Sequence, residues 1–397
     1  MTRPALLLYA LALLSLPSPG QGDGGWQSGA MVGGAPYHSA EELRSFYKLS
    51  TGAKSTRKGA YAIGNADVSL ELGPGAREMR IGGVQVALAR PLQRDTKGGW
   101  LISREDWVSS IDPILRPTYI QGRESVQTVV IDAGHGGHDE GERTTQLHEA
   151  EVTLQVAQRL KAELEKRGYK TLLTRTGGNF LSDQQRVEAA NAAGEHAIFL
   201  SLHVNSGRSD FRGAAVYSLA PGEDERPGRA RQAAHAALAY AVQSALITRA
   251  GAVDAGCRRA HYSLLSSITC PAVWVELGYA THAQEGAALA SPAYQETLAQ
   301  ALAQGVEAYA HVANPETGIP VQAPPPRVPV KQPVATPTKG ATESGSRSSG
   351  STARNQPRKP TANTGSKTSG GSKPQATGNK PQSSGGRRAS ATGRNRR

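Results

Sequence analysis

Cysteine is nearly absent from this chain of 397 residues: Cys257 and Cys270 are the only two. They stand thirteen positions apart, so neither a C-x-x-C redox pair nor a thiolate zinc motif is available. A multi-bridge disulfide scaffold is excluded with them. One bridge between the two stays an open expectation, because spacing alone does not show whether the geometry of the link is met. Long apolar runs are missing as well. The run Ala5–Leu14 inside "MTRPALLLYALALLSLPSPGQG" falls short of the about 20 residues a spanning helix needs. With Arg3 before it and the small residues Ser18 and Gly20 after it, residues 1–22 read as a cleaved secretory signal. The mature protein is therefore expected to be exported, to a periplasm or to the cell wall and extracellular space.

No Val, Ile, Leu or aromatic residue follows Val334. The stretch 319–397 is instead rich in Pro, Ser, Thr, Gly, Lys and Arg, and it cannot bury enough apolar surface to offset chain entropy, so a disordered tail is expected. It holds fifteen Lys and Arg against the single acid Glu343, while the whole chain is +12, so the residues before it carry about −2. The basic character belongs to the tail. Such a segment attracts anionic partners, a wall polymer or a membrane surface, through salt-sensitive and nonspecific forces. A solvated spacer with no dedicated partner is the alternative. No specific nucleic-acid binding is expected, since the tail has no aromatic side chain to stack on bases.

What is present begins with a small β-rich module over 37–120. "SAEELRSFYKLS" opens it as a short helix with Ser39 as cap and Glu42 three residues on. Short alternating segments come next, turned at Gly64-Asn65, Gly73-Pro74-Gly75, Gly82-Gly83 and Gly98-Gly99, which predicts hairpins. No cluster with catalytic chemistry falls in this module, which is read as separate from the remainder of the chain.

From 126 to 313 the pattern alternates. "TVVIDAG", "YKTLLTR", "AIFLSLH", "AAVYSL" and "AVWVELG" read as strands, and "EAEVTLQVAQRLKAELEKRG", "DQQRVEAANAAG", "ARQAAHAALAYAVQSALI" and "YQETLAQALAQGVEAYAHV" as helices. The expected fold class is α/β, a mainly parallel or mixed twisted sheet with helices on both faces.

Three of these strands end on residues that are costly to desolvate: His135, His203 and Glu276. Ligands in open α/β sheets bind beyond the carboxyl ends of the strands, so two imidazoles and a carboxylate are expected at one rim. On the first helix Glu149 lies three residues before Val152 and shares the inward face with Val156, Leu160 and Leu164, whereas Glu151 is turned about 100° away. Two neutral imidazoles and a carboxylate suit Zn2+, and three protein ligands leave a position for water. His135, Glu149 and His203 are the expected metal ligands, and Glu276 the acid/base that handles the proton. Spacing alone leaves His138, Asp139, His148 and His261 open as other ligands.

"VVIDAGHGGHDEG", "HEAEVTL", "LTRTGGNFLSDQQRVEAAN", "FLSLHVNS" and "PAVWVELGYATHAQE", in that order, resemble the successive blocks of the zinc-dependent N-acetylmuramoyl-L-alanine amidases, the amidase-3 family. The resemblance covers about 128–312. It implies peptidoglycan as substrate, zinc on His135, Glu149 and His203, Glu276 as catalytic acid/base, and Arg186 and Asn191 as structural support. Glu140 replaces a frequent proline, and His282 an asparagine, which bears on substrate contacts more than on chemistry. Residues 207–258 have room for one helix and short connections, so an uncovered site is expected. The module over 37–120 loosely resembles the copper-amine-oxidase-N-like modules ahead of some wall hydrolases, with no copper implied. The competing readings are another zinc peptidase or deacetylase acting on the wall and a noncatalytic peptidoglycan-binding protein.

Overall fold

The computed structural model describes residues 30–51, 60–64, 69–73, 77–120, 124–220 and 229–313. The expected signal at 1–22, the basic tail at 319–397 and the turns at Asn65 and Pro74-Gly75 lie outside them. Among the described residues no helix is long and apolar enough to cross a membrane.

The first half is built from hairpins. Strands β1 (Ala30–Val32), β2 (Ala35–Ser39), β8 (Gln93–Arg94) and β9 (Trp100–Ser103) form a four-stranded antiparallel sheet in the order β1-β2-β9-β8. Between them come helix α1 (Ala40–Phe46) and strands β3 (Ser50–Thr51), β4 (Tyr61–Gly64), β5 (Ser69–Leu72), β6 (Glu78–Ile81) and β7 (Val84–Ala87). The expected capping box starts α1: Ser39 Oγ accepts the Glu42 N–H at 3.1 Å, and the Glu42 carboxylate accepts the Ser39 N–H at 2.8 Å. A helical run over 104–115 leads out.

The second half alternates: β10 (Thr128–Ala133), α2 (Glu149–Lys166), β11 (Lys170–Leu173), α3 (Asp183–Asn191), β12 (Ala197–Asn205), β13 (Ala214–Leu219), α4 (Arg229–Arg249), β14 (Asp254–Ala260), α5 (Ser263–Ser267), β15 (Ala272–Tyr279), α6 (Ala283–Leu289) and α7 (Pro292–Ala313). The sheet is mixed. Its order is β11-β10-β12-β15-β13-β14-β7-β6-β5-β4-β3, with β13 antiparallel to β15 and the β10, β11, β12 and β15 pairs parallel.

The stretch over 37–120, read from sequence as a separate module, is thus continuous with the second half through β14 and β7, where Cys257 pairs with Val86. Its core of Leu43, Ile63, Leu70, Met79, Ile81 and Trp107 also takes in Tyr240 of α4 and Cys257 of β14. Tyr240 donates its hydroxyl to Ile81 O at 3.1 Å, and Asp254 accepts the Gln85 N–H at 2.8 Å. Strand β14, "DAGCRRA", has no counterpart among the strands expected from sequence, because small and charged residues give it no apolar alternation. Its ladder partners hold it instead. The two cysteines are buried and free, Cys257 in this core and Cys270 in another.

Alternation in the central strands decides what each face receives. Val129, Ile131, Leu200, Leu202, Val273 and Val275 pack under α2, α4 and α7. Val130, Phe199 and Ala272 face the opposite way, toward Ala190 of α3 and Leu264 and Leu265 of α5.

His235 of α4 is fully buried, with Nδ1 2.7 Å from Ala272 O and no partner for Nε2 among the described residues. Burial pushes its pKa down from 6.5 to about 4. The unfolded chain therefore binds this proton more tightly, and stability should fall as pH drops from about 6.5 toward about 4. Thermal melts across that range should show His235→Leu losing less melting temperature on acidification than the wild type.

Candidate metal centre

Ladder register brings the polar strand ends together. Asp132 of β10 pairs with Ser201 of β12, Ser201 with Trp274 of β15, and Trp274 with Tyr217 of β13. One step further toward the carboxyl ends, His203 pairs with Glu276. Register partners project from the same face, so both rows stand on the side away from α2, α4 and α7. On that face β12 runs Phe199, Ser201, His203 and β15 runs Ala272, Trp274, Glu276, apolar giving way to polar along each strand.

Glu149 reaches the rim from the start of α2. It is 4% exposed, whereas the Glu151 side chain is turned outward. Its Oε1 lies 3.1 Å from His135 Nε2, 3.2 Å from His203 Nδ1 and accepts the Val204 N–H at 2.8 Å. Its Oε2 accepts the Glu142 N–H at 2.8 Å. Ligand atoms of His135, Glu149 and His203 all lie within 4.8 Å of one another, and this is the one such cluster among the described residues.

The outer ring nitrogens are also engaged. His135 Nδ1 is 2.9 Å from the Asp139 carboxylate, and His203 Nε2 is 3.2 Å from Ser201 Oγ, which donates to Asp132 at 2.7 Å. Partners of this kind fix ring orientation and aim the inner nitrogens at one common point. Two imidazole nitrogens, one carboxylate oxygen and an occupied outer layer form a donor set that can hold a divalent cation.

The loop carrying His135 is strained and braced. His135 has φ +61°, a left-handed conformation that side chains other than glycine seldom adopt. Two buried guanidinium groups hold the backbone there. Arg186 donates to Ala133 O and His135 O, both at 2.9 Å, and pairs with Asp132, while Arg175 donates to Ala133 O at 2.9 Å and Gly134 O at 2.8 Å. Asn191 ties α3 to the approach of β15, donating to Ser267 O at 3.0 Å and accepting the Thr269 N–H at 2.9 Å. Glycine is needed close to the donors: a Cβ on Gly134 would land on the His203 ring, and one on Gly141 would lie 2.6 Å from Glu149 Oε2.

Electrostatics follow from this packing. Burial by itself would lower the His135 pKa, but the Glu149 and Asp139 carboxylates raise it to about 9. Burial would raise that of Glu149, but hydrogen bonds from His135 and His203 hold it well below the usual carboxylate range. Burial keeps His203 below its ordinary value. Glu276 is 8% exposed, and burial pushes its pKa up to about 7, against the lowering effect of a hydrogen bond from Trp274. Its Oε1 accepts that indole N–H at 2.7 Å, and its Oε2 has no partner among the described residues.

The other candidate ligands are placed differently. Asp139 stands behind His135, and the His138 ring lies against Phe180 with centroids 4.3 Å apart. His148 sits 3.7 Å from the Glu151 carboxylate, and His261 is exposed. His282 has a local task, since its Nδ1 accepts the Glu285 N–H at 3.2 Å and caps α6. Glu140 pairs with Arg143 at 3.0 Å on the surface. Sequence reasoning passed over Asp132, Arg175, Ser201 and Trp274. The period-two spacing of Ser201 with His203 and of Trp274 with Glu276 was the available signal for two of them.

Comparison with known proteins gives the family of the chain. A family model described as N-acetylmuramoyl-L-alanine amidase matches residues 129–308. The protein YqiI of Bacillus subtilis is 31% identical over 183 residues, which make up 46% of this chain and 84% of that protein. The N-acetylmuramoyl-L-alanine amidase LytC of the same organism is 32% identical over 184 residues, 46% of this chain and 35% of LytC. The solved structure of the amidase AmiC2 of Nostoc punctiforme is 34% identical, covering 47% of this chain and 98% of that one, with a TM-score of 0.41. The chain belongs to the N-acetylmuramoyl-L-alanine amidase family, amidase-3 type.

Gly134→Ala should cut divalent-cation affinity roughly tenfold or more, because the added methyl displaces the His203 ring. Metal content after dialysis against a limiting cation, read beside the melting temperature, checks it.

Proposed function

We propose that this protein hydrolyses the amide between the lactyl group of N-acetylmuramic acid and L-alanine in peptidoglycan, releasing stem peptides from glycan. The observation that carries the reading is the meeting of His135, Glu149 and His203 donor atoms within 4.8 Å, with the half-engaged carboxylate of Glu276 across the ladder from His203. Membership of the family supports it, as does the likeness to a protein named for this activity. The catalytic unit in this reading is 126–313, resting on a sheet that continues into 37–120.

His135, Glu149 and His203 would hold Zn2+. Bound there, zinc supplies Lewis acidity that brings the pKa of water to roughly 7 and draws charge from a carbonyl oxygen. Glu276 does the proton work. A carboxyl pKa pushed up to about 7 suits a group that must accept a proton and return it near neutrality. Its free Oε2 takes the proton of the attacking water as the new C–O bond forms. As the C–N bond breaks, the same oxygen delivers that proton to the leaving alanine nitrogen. Water is consumed, and a carboxylic acid and an amine result. Asp139 and the Ser201–Asp132 pair keep both imidazoles oriented, and Arg175 and Arg186 keep the His135 loop from relaxing.

A wall substrate places the action outside the cytoplasm, as an exported start and a basic tail would suit. The tail would add salt-sensitive attraction to an anionic wall or membrane surface.

Glu276→Gln should retain zinc and lose about 10²–10⁴-fold of the turnover that a proton-transfer group contributes. Mass spectrometry of digested sacculi should show free peptides with an L-alanine amino terminus from the wild type, and none after chelation. Any other new terminus, or near-normal turnover by the variant, sinks the assignment. Truncation after Pro315 should weaken binding to sacculi in low salt, and this loss should shrink as salt rises; unchanged binding in low salt would make the tail a spacer.

A further inference from the structure

Trp274 touches both His203 and Glu276. Its indole stacks on His203 with ring centroids 3.5 Å apart and an interplanar angle of 8°. Tyr262 also packs on it, at 4.8 Å and 33°, and Tyr217 lies 5.6 Å from Tyr262. The indole has one polar atom, and that N–H is directed at Glu276 Oε1, 2.7 Å away. Strand geometry explains the reach. Residues two apart on β15 share a face, so the ring beside Glu276 can span the step to its carboxylate. Glu276 Oε2 is left buried with no partner among the described residues.

We infer that Trp274 is a positioning residue for Glu276: its indole N–H fixes one carboxylate oxygen, so the other is presented to the reacting water and leaving nitrogen. This rests on the reading of Glu276 as acid/base. A carboxylate on a flexible stem would otherwise sample several rotamers, and freezing it in advance places the cost of ordering in folding rather than in turnover. The stack on His203 gives the same residue a second contact with the centre, so ring and N–H can be separated by choice of variant. Phenylalanine keeps a ring and removes the donor; leucine removes both.

The test uses the full-length, zinc-loaded protein and a soluble N-acetylmuramoyl-peptide. Trp274→Phe should keep its metal content and melting temperature, hold KM within about twofold and lower kcat roughly tenfold or more, the size of a lost hydrogen bond to a charged group. Glu276→Asp supplies the second arm, because shortening the side chain should withdraw the carboxylate from the indole N–H. Adding Trp274→Phe to it should lower kcat by less than about twofold. Trp274→Leu should in addition lose metal affinity. The inference is overturned if Trp274→Phe keeps wild-type kcat, if its loss falls on KM, or if the same loss recurs in the Glu276→Asp background. Failure of the underlying reading looks different, since Glu276→Gln would then turn over normally.

Discussion

The site depends on one carboxylate that could not stay buried alone. Taking a charge out of water costs several kcal/mol after relaxation. Glu149 offsets that cost with two imidazoles and two backbone N–H groups, from Val204 and Glu142. These partners come from three different pieces of chain: the loop after β10, the end of β12 and the approach to α2. The carboxylate therefore does in the protein what a divalent cation can do with it, drawing the two rings to a common point. Remove it and the two imidazoles lose the group that makes their proximity tolerable.

That arrangement propagates outward as a set of constraints on shape. The His135 ring reaches the centre only because its backbone takes a left-handed turn, and such strain persists only where the surroundings over-determine it. Arg175 and Arg186 supply the determination by gripping the carbonyls from Ala133 to His135, and Asp132 neutralises Arg186 beneath them. Gly134 and Gly141 are narrow passages rather than flexible joints. The space a side chain would need there is already filled by the donors themselves.

The sheet continues well past the site. Its far strands belong to the hairpins of the first half, joined by β14 and sealed by a core to which Tyr240 and Cys257 contribute. Strand β14 has little strand character of its own and owes its conformation to β13 on one side and β7 on the other. The rigid floor beneath the strand ends is thereby widened, and it is the kind of scaffold on which donors can be held to fractions of an ångström.

Local chemistry was legible in the chain alone. Apolar runs and helical period marked β10, β11, β12, β13 and β15 and the long helices, because an apolar strand and a helix with an apolar stripe must bury those surfaces somewhere. His135, His203 and Glu276 stood out because each lies at the end of a buried strand where a polar group is expensive, and Glu149 because it shares a face with Val152. What distinguishes Asp139 behind a ring from a ligand on it, or makes Trp274 a partner of Glu276 rather than another core aromatic, is ladder register and ring orientation. Those are relations between segments remote in sequence. They arise only when the strands pair and the side chains compete for the same space, which is why the tertiary structure alone decided them.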